Sequence, residues 1–448
     1  MLSEIFKAYD VRGIYGQNLT EDVAYKIGRA LVYFLKCKKV IVGTDMRISS
    51  PELSRAFMKG VTEQGAIAIY IGQVCTDATY FASGLLNKPC VMFTASHNPK
   101  QYNGIKFCKN NAIPINEDTG LREIRLIAEN SAFEKIKISK KGKIIRKDII
   151  KDYVKHVRKF IETGKLGNLR IAVDAANGMA GKIIPLVYRN LPVKIIPLYF
   201  KLDGAFPNHP ADPSKYDNLM ELQKTVRRRK CDFGIGFDGD ADRIFFVDGQ
   251  GNIINSSLIS SLIIRDILSK WKHEKIIYNV VCSRIVRETI KKYGGVPVLE
   301  RVGHSFIKET MRKTRALFAC EHSAHYYYRD NYRADSGIIT SLIVAEIVSK
   351  EKKPLTELLN EFKRYHTIEE TNVEVNDKDA KLKEIEEIYK KQKPGKISKL
   401  DGISIEFDDY WFNVRPSNTE PLLRLNLEAT SEELMKRKKQ ELLKVMGG

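Results

Sequence analysis

Three aspartates that alternate with small residues form the pattern with the clearest chemical meaning in this sequence. Asp238, Asp240 and Asp242 lie within the segment Asp-Gly-Asp-Ala-Asp-Arg. In an extended segment these residues face the same side, so their carboxylates repel one another unless a cation lies among them. Oxygen ligands of this kind favour Mg²⁺ or Mn²⁺. An EF-hand is excluded because its sixth position is Arg243 and its twelfth is Gly249, which leaves a metal site or a polar hairpin turn.

The glycines around the first aspartate do not form a dinucleotide site. Gly234-Ile-Gly-Phe-Asp-Gly239 matches the GxGxxG pattern, but a dinucleotide loop must open a helix whose N-terminus binds the pyrophosphate. The run that follows, Arg243-Ile-Phe-Phe-Val, is instead typical of a strand. The aspartate carboxylates would also repel that anion, so we reject this interpretation.

A second polar loop, Thr94-Ala-Ser-His-Asn-Pro, follows a strand-like run and is itself followed by Lys106. It has no GxSxG elbow, so a hydrolase triad is not supported. A serine close to a metal site could instead carry a phosphoryl group, because Mg²⁺ neutralises the phosphate and the leaving oxygen. The alternative is an ordinary loop with a helix N-cap.

Two further loops carry polar groups suited to sugar phosphates. Arg415-Pro-Ser-Asn-Thr-Glu-Pro offers a guanidinium, two hydroxyls and an amide, which suit a phosphate cradle or a simple turn. Glu321, Ser323 and His325 alternate, so a carboxylate and a hydroxyl could hold vicinal sugar hydroxyls. His325, with His304, could transfer a proton, although a single histidine is also common in a purely structural role.

The elements that must position these loops recur three times along the chain. Each unit has strand-like runs with a helical stretch after the first, and its third strand runs into a polar loop. The strand-like runs begin at Val40, Ile67, Cys90, Ile171, Ile195, Phe233, Ile276, Val296 and Ala316. A helix is expected from Pro51 to Gln64 with Ser50 as its N-cap. The last segment has a different order of strands and helices, typical of a small α+β domain.

We therefore predict four domains: three similar mixed-sheet α/β domains and a C-terminal α+β domain. The predicted boundaries are 1–148 with the serine loop, 149–250 with the aspartate loop, 251–364 with the sugar-binding loop and 365–448 with the phosphate-binding loop. A chain of 448 residues is long enough for three or four domains.

Composition narrows the class of protein. Hydrophobic residues are 43% and charged residues 29% of the chain, which is ordinary for globular proteins. No apolar run is long enough to span a membrane and the first residues do not form a signal peptide, so a cytoplasmic protein is expected. The seven scattered cysteines form no CxxC pair, which favours reduced thiols.

The formal charge of +20 indicates a nucleic-acid binder, a site for anionic substrates or a lysine-rich solvated surface. The basic cluster Arg227-Arg228-Arg229-Lys230 has no interleaved aromatic residues. No nucleic-acid-binding module is recognisable, so a solvated surface that also attracts anionic substrates is favoured.

The sequence resembles the α-D-phosphohexomutases over essentially the whole chain. The resemblance begins at Phe6-Lys-Ala-Tyr-Asp-Val-Arg-Gly-Ile, includes the serine and aspartate loops and ends with Arg415-Pro-Ser-Asn-Thr-Glu-Pro. Tyr102-Asn-Gly-Ile-Lys and Glu321-His-Ser-Ala-His favour the phosphomannomutase/phosphoglucomutase branch. Val281 stands where dual-specificity members often carry a sugar-contacting lysine, so the resemblance assigns no preference between glucose and mannose.

The resemblance implies a role for each matching residue. Ser96 would be the phosphoserine, and its phosphate would bind Mg²⁺ together with the three aspartates. The residues implied to transfer protons or steady the moving phosphoryl group are Lys106, His325, Arg12 and Arg243. Glu321 and Ser323 would hold the sugar O3 and O4. The predicted substrate-binding residues are Tyr9, His97, His304, Glu321, Ser323, Arg415, Ser417, Asn418 and Thr419.

The resemblance also implies a heart-shaped arrangement of four domains around a central cleft. The implied reaction interconverts hexose 1-phosphate and hexose 6-phosphate, with a hexose 1,6-bisphosphate as activator and intermediate. The expected partners are small sugar phosphates, without a membrane or nucleic acid, and the chain is expected to be a monomer or a weak homodimer. The alternatives are a phosphoglucosamine mutase of the same fold and a phosphoserine-dependent phosphatase.

Overall fold

The chain forms four β-sheets, each built from a contiguous stretch of sequence. This architecture is seen in a computed structural model that describes residues 2–417 and 422–447. The prediction of three α/β domains and one α+β domain is confirmed. The predicted boundaries after residues 148, 250 and 364 stay predictions.

The first domain is a seven-stranded mixed sheet with helices packed on it. Its elements are β1 (Val11–Ile14), α1 (Glu21–Leu35), β2 (Lys39–Thr44), α2 (Ser50–Glu63), β3 (Ile67–Gln73), α3 (Thr76–Leu86), β4 (Cys90–Phe93), β5 (Tyr102–Lys109), β6 (Ile113–Pro114), α4 (Leu121–Glu129) and β7 (Ile144–Arg146). The strand order is β1-β5-β4-β2-β3-β7, with β6 paired to β5.

The second domain repeats this plan in a five-stranded sheet. Its elements are α5 (Ile150–Val157), β8 (Leu169–Asp174), α6 (Ala180–Val187), β9 (Val193–Leu198), α7 (Met220–Arg229), β10 (Phe233–Phe237), β11 (Ile244–Asp248) and β12 (Ile253–Ile254). The strand order is β12-β11-β10-β8-β9.

The third domain has a five-stranded sheet with the order β14-β13-β15-β16-β17. Its elements are α8 (Ser256–Lys270), β13 (Lys275–Asn279), α9 (Arg284–Lys292), β14 (Val296–Glu300), α10 (His304–Thr314), β15 (Phe318–Cys320), β16 (Tyr326–Tyr328), β17 (Ala334–Asp335), α11 (Gly337–Glu351) and α12 (Leu355–Leu358).

The fourth domain is antiparallel. Its elements are β18 (His366–Thr367), β19 (Thr371–Glu374), α13 (Lys378–Lys390), β20 (Lys396–Ser398), β21 (Ile403–Glu406), β22 (Tyr410–Pro416), β23 (Leu422–Ala429) and α14 (Glu432–Met446). The strand order is β18-β23-β22-β21-β20, and β19 also pairs with β23. Its apolar core, around Ile385, Phe412 and Leu425, is separate from the buried cluster shared by the first three domains.

The predicted internal repeat is visible in the pairing of β4, β10 and β15. Each of these strands is parallel to the first main strand of its domain, namely β2, β8 or β13. Each is antiparallel to the strand that follows it, namely β5, β11 or β16. The three polar loops therefore leave equivalent ends of three sheets.

Among the described helices, none combines the length and the apolar composition that a membrane crossing requires.

Candidate active site

Ser96 lies in the loop between β4 and β5, at the carboxyl end of a buried strand. Its φ of 50° is a left-handed conformation that is uncommon outside glycine. The Ser96 amide donates to Thr94 Oγ1 at 2.9 Å, and the hydroxyl donates to Asp238 Oδ2 at 2.6 Å. The serine loop of the first domain and the aspartate loop of the second therefore form one site.

The three aspartates bring their carboxylates together in the loop between β10 and β11. Ligand oxygens of Asp238, Asp240 and Asp242 lie within 4.8 Å of one another, and all three side chains are buried. Among the described residues, the Oδ1 atoms of Asp240 and Asp242 have no hydrogen-bond partner. Gly239 allows this packing, because a Cβ there would lie 2.6 Å from the Ser96 carbonyl oxygen. The oxygen-rich cluster fits a hard divalent cation.

Lys106 on β5 places a positive charge against two of these carboxylates. Its Nζ lies 2.9 Å from Asp240 Oδ2 and 2.7 Å from Asp242 Oδ2. Burial works to lower the pKa of Lys106, but the two carboxylates outweigh burial and raise that pKa well above its usual range. Lys106 is therefore an ammonium in this arrangement.

The aspartates differ in how easily they ionise. Burial, followed by repulsion from Asp242 and Asp240, raises the pKa of Asp238 well above its usual range. Burial also opposes ionisation of Asp242, yet Lys106 and His325 hold its pKa well below that range. Repulsion within a buried acidic cluster has this effect: one carboxyl resists ionisation while its neighbour ionises readily.

Two arginines reach the serine and aspartate loops. Arg12 on β1 donates from Nη1 to the Ala95 carbonyl oxygen at 3.3 Å. Arg243 donates from its amide to Asp238 Oδ1 at 3.1 Å and from Nε to His325 Nε2 at 3.3 Å. Two guanidiniums thus border the site around the Ser96 hydroxyl, where they can stabilise phosphate oxygens.

His97 lies directly beside the serine hydroxyl. Its Nδ1 is 3.2 Å from Ser96 Oγ. Burial, assisted by the charges of Arg243 and Arg12, lowers the pKa of His97 well below its usual range. The imidazole is therefore neutral at neutral pH.

Glu321 begins the loop between β15 and β16, and three donors orient its carboxylate. Oε2 accepts from Asn279 Nδ2 at 3.1 Å and from the Gly303 amide at 3.2 Å. Oε1 accepts from the Tyr327 hydroxyl. Donors from three segments of the third domain thus hold this buried carboxylate in one orientation.

His325 connects the sugar-binding loop with the aspartate loop. Its Nδ1 lies 2.9 Å from Ser323 Oγ, and its Nε2 lies 3.4 Å from Asp242 Oδ1. Asp335, at the end of β17, places Oδ2 4.0 Å from the same Nε2. The Arg243 Nε–H donates to the same Nε2 at 3.3 Å, so His325 lies between the aspartate loop and Ser323.

Tyr9 and His304 meet where the first and third domains face each other. Their ring centroids are 5.6 Å apart, and Tyr9 also packs edge-on against Phe306. Burial lowers the pKa of His304 well below its usual range. Asp401 and Arg415 of the fourth domain are among the charges that act on the Tyr9 hydroxyl, so residues of three domains approach one another here.

Arg415 is the second-last residue of β22, beside the predicted phosphate loop. Its Nη2 donates to Glu370 Oε2 at 2.8 Å, and Arg424 Nη1 donates to Glu370 Oε1 at 3.0 Å. Ser417 is buried, and its amide donates to the Leu422 carbonyl oxygen at 2.9 Å. Two guanidiniums and one carboxylate leave a net positive site. The predicted ligands Asn418 and Thr419 lie outside the described residues.

Comparison with known proteins assigns the whole chain to one family. Residues 3–135, 151–251, 255–365 and 370–445 match, in order, domains I, II and III and the C-terminal domain of phosphoglucomutase/phosphomannomutase. A phosphomannomutase of Methanocaldococcus jannaschii is 38% identical over 442 residues, which are 98% of this chain and 96% of the relative. The chain belongs to the phosphoglucomutase/phosphomannomutase family.

Other family members show the same extent of similarity. A phosphomannomutase of Vibrio cholerae is 37% identical over 98% of each chain. A crystal structure of a Burkholderia thailandensis phosphoglucomutase/phosphomannomutase family protein superposes with a TM-score of 0.90 at 30% identity, covering 100% of this chain and 98% of that one. The arrangement of all four domains is thus shared with a solved member of the family.

The structure brings most of the predicted site residues of this family member together. Direct contacts link Ser96, His97, Lys106, the three aspartates, Arg243, Ser323 and His325. Arg12, Glu321, Tyr9 and His304 adjoin this group. Arg415 and Ser417 lie on the fourth domain, where Glu370 and Leu422 are among their hydrogen-bond partners.

Sequence reasoning missed three charged residues that contact the site. Asp335 faces His325, and Glu370 pairs with Arg415. Arg47 binds the backbone of the serine loop. Glu370 carries no motif that would reveal it. Arg47 follows β2, which lies beside β4 in the sheet. Its position after a parallel strand is therefore a sequence signal that could have indicated a residue near the serine loop.

Proposed function

We propose that this protein interconverts hexose 1-phosphate and hexose 6-phosphate, with mannose, glucose or both as the sugar, by phosphoryl transfer through Ser96. The observation that carries the proposal is the 2.6 Å contact between Ser96 Oγ and Asp238 Oδ2 inside the buried carboxylate cluster. A serine in this setting is suited to carry a phosphoryl group rather than to act in a hydrolase triad.

The reaction consists of two transfers that balance in phosphoryl groups and protons. In the first, the bond between phosphorus and Ser96 Oγ breaks and a bond to the sugar O6 forms, while the O6 proton passes to a base and Ser96 Oγ takes up a proton from an acid. In the second, the bond between phosphorus and the sugar O1 breaks and a bond to Ser96 Oγ forms, while the Oγ proton passes to a base and O1 takes up a proton. Lys106 and His325 are the proposed acid and base because both adjoin the carboxylate cluster.

The carboxylate cluster is proposed to hold Mg²⁺. Asp238, Asp240 and Asp242 would be its protein ligands, since their buried oxygens lie within 4.8 Å of one another. When bound, the ion supplies positive charge that stabilises the phosphate and the leaving oxygen. Arg12 and Arg243 are proposed to add charge-assisted hydrogen bonds to the phosphate oxygens.

Substrate recognition is proposed to involve the third and fourth domains. Glu321 is oriented by its donors and, with Ser323, can accept and donate hydrogen bonds to two neighbouring sugar hydroxyls. Arg415 and Ser417, with Asn418 and Thr419 next in sequence, can bind the phosphate that is not reacting. The sugar can then bind in either orientation, as two successive transfers require.

Water must be excluded for the transfer to prevail over hydrolysis. Ser96 is only 2% exposed, which supports transfer to a sugar over the phosphatase alternative. The proposal also includes sugar phosphates as partners and a hexose 1,6-bisphosphate as activator and intermediate. It further includes a monomeric or weakly dimeric state and a cytoplasmic location.

The test is a coupled mutase assay with Mg²⁺ and a trace of hexose 1,6-bisphosphate. Mannose 1-phosphate, glucose 1-phosphate and glucosamine 1-phosphate are compared as substrates, and free phosphate is measured in parallel. Turnover of the first or second sugar supports the proposal and ranks the sugars. Turnover of glucosamine 1-phosphate alone, or release of phosphate without isomerisation, contradicts it.

A further inference from the structure

A buried arginine lies beneath the serine loop and takes no part in the proposed chemistry. Arg47 follows β2 and is only 1% exposed. Its guanidinium donates to four backbone carbonyl oxygens of one loop. These are Ser96 O at 2.9 Å, Asn98 O at 2.6 Å, Pro99 O at 2.9 Å and Tyr102 O at 2.8 Å.

We propose that Arg47 is a positioning residue that holds the backbone of the serine loop, and with it the Ser96 hydroxyl, in its reactive place. The loop that Arg47 binds is residues 94–102. The effect on activity rests on the proposed function, whereas the effect on the mobility of the loop does not.

The chemistry of the guanidinium suits this task. Arginine has five N–H donors in a rigid planar fork, and four hydrogen bonds from Nη1 and Nη2 reach the loop. Hydrogen bonds from a charged donor are roughly twice as strong as neutral ones. No lysine could bind four carbonyls in one plane, because its ammonium has three donors around a single nitrogen.

The loop needs such a restraint because its backbone is not relaxed. Ser96 lies at φ of 50°, a conformation that persists in a non-glycine residue only when its surroundings enforce it. Arg47 binds the carbonyl oxygen of Ser96 itself. The hydroxyl of the same residue donates to Asp238, so both the backbone and the side chain of Ser96 are held by hydrogen bonds.

Arg47 is itself fixed from two directions. Its amide donates to Asp45 Oδ1 at 2.9 Å, and its Nε lies 3.4 Å from Asp45 Oδ2. From the second domain, Phe206 places its ring 5.2 Å from the guanidinium carbon. Gly204 comes so close that a Cβ would lie 2.7 Å from Arg47 Cα. The first and second domains thus enclose the guanidinium together.

This arrangement predicts a specific kinetic effect. A misplacement of about 1 Å in a reacting group can lower a rate by about 100-fold. Among the described residues, Arg47 hydrogen-bonds to none of those proposed to bind the sugar or the distal phosphate, so a loosened serine loop should lower kcat and leave KM unchanged. A general loss of structure would instead lower the fraction of folded protein, which thermal unfolding detects.

The test compares Arg47→Lys with the control Arg29→Lys. Arg29 is a half-buried arginine of the first domain. Its Nε donates to Gln64 Oε1 at 3.0 Å and its guanidinium carbon lies 4.4 Å from the centre of the Phe133 ring, away from the serine loop. Steady-state kinetics, thermal unfolding and amide hydrogen exchange of residues 94–102 are measured on the full chain.

We expect Arg47→Lys to lower kcat by about 100-fold, to change KM less than twofold and to accelerate exchange in the serine loop. Arg29→Lys should change none of these. A kcat within threefold of the parent, a proportional rise in KM, or an equal kcat loss in the folded control overturns the inference.

A second variant covers the case in which Arg47→Lys does not fold. Phe206→Leu removes the aromatic face over the guanidinium and should lower kcat by about threefold with faster loop exchange; unchanged kcat and exchange there contradict the inference. If the parent protein has no mutase activity, the proposed function fails, and hydrogen exchange alone decides whether Arg47 holds the loop.

Discussion

Ser96 combines an unusual backbone conformation with a short contact to a carboxylate. The motif around it predicts a functional serine, but the left-handed φ of 50° and the 2.6 Å contact with Asp238 are properties of the folded chain. Conformation and contact together place the hydroxyl where a phosphate would meet the acidic cluster.

Replacing Ser96 with alanine should abolish isomerisation, because no oxygen remains to carry the phosphoryl group. The measurement is the coupled mutase assay with each sugar phosphate. The control is Ser260→Ala, which removes a buried hydroxyl of α8 that donates to the Ser256 carbonyl oxygen of the same helix. Full activity of the Ser96 variant would exclude the proposed mechanism.

Asp240 is the member of the cluster on which metal binding can be tested most directly. Asp240→Asn removes a charge and should weaken Mg²⁺ binding by at least about 10- to 100-fold, because the loss of even an outer-shell partner of a metal ligand has an effect of that size. Activity and calorimetric titrations with Mg²⁺ measure the change. The control is Asp232→Asn, because the Asp232 carboxylate accepts from the Arg170 amide and precedes β10, whereas the carboxylate cluster follows that strand. Identical Mg²⁺ titrations for the parent and Asp240→Asn would contradict the assignment.

At the scale of elements, the helices and strands follow the predicted order with small shifts. The helix expected from Pro51 to Gln64 spans Ser50–Glu63. The predicted N-cap at Ser50 is wrong, because the Ser50 hydroxyl donates to Asp45 Oδ1 at 2.7 Å and Ser49 precedes the helix. The Ser50 hydroxyl is thus bound to a carboxylate five residues earlier in the chain instead of capping the helix.

The start of α3 forms a junction between three domains that should depend on pH. Asp77 Oδ2 accepts from the Tyr153 hydroxyl at 2.6 Å and from Ser336. Burial raises the pKa of Asp77 to about 6. Below about pH 4 the carboxyl is protonated in the folded and unfolded chains alike, so its burial does not penalise folding. Above about pH 6 it is ionised in both states and the full penalty applies.

Asp77→Asn should therefore stabilise the protein at pH 7.5 by up to about 3 kcal/mol, and the gain should vanish near pH 4. Denaturant unfolding at the two pH values measures the difference. Asp152→Asn, an exposed substitution on α5, serves as the control. A stability difference for Asp77→Asn that does not vary with pH would contradict the raised pKa.

The ends of β22 and β23 form the proposed phosphate site of the fourth domain. Arg415→Ala removes one of the two guanidiniums that share Glu370 and should raise KM for the sugar phosphate by about tenfold or more, as expected for a lost charged hydrogen bond. Phosphorylation of Ser96 by the bisphosphate, followed by intact mass, should change less. Arg437→Ala on exposed α14 is the matched control. An unchanged KM for Arg415→Ala would remove this residue from the site.

At the scale of the whole molecule, the net charge of +20 affects the rate at which dianionic substrates reach the active site. A positive field around a cleft raises the local concentration of anions and is screened by salt. We expect kcat/KM to fall as KCl is raised from about 50 to 500 mM, while kcat stays within twofold. A salt-independent kcat/KM would assign the surplus charge to the solvated surface alone. DNA added at about 150 mM KCl tests the nucleic-acid alternative and should leave the protein unbound, because salt at that concentration weakens non-specific charge attraction.

Much of this protein follows from local sequence patterns. The three α/β units, the α+β end and the loops that carry Ser96, Asp240 and His325 are all readable from the order of strands, helices and polar loops. Local patterns suffice here because periodicity determines which face of an element is apolar, and because a loop after a parallel strand must emerge at one edge of a sheet.

Only the tertiary structure decided which charges meet. Lys106 contacts Asp240 across 134 positions of sequence, and Arg47 reaches the Ser96 carbonyl across 49. Glu370 binds Arg415 across 45 positions. Such pairs join different strands or domains, so no spacing along the chain encodes them. They form because a buried charge is tolerated only with a partner, and packing of the four domains determines which partner is within reach.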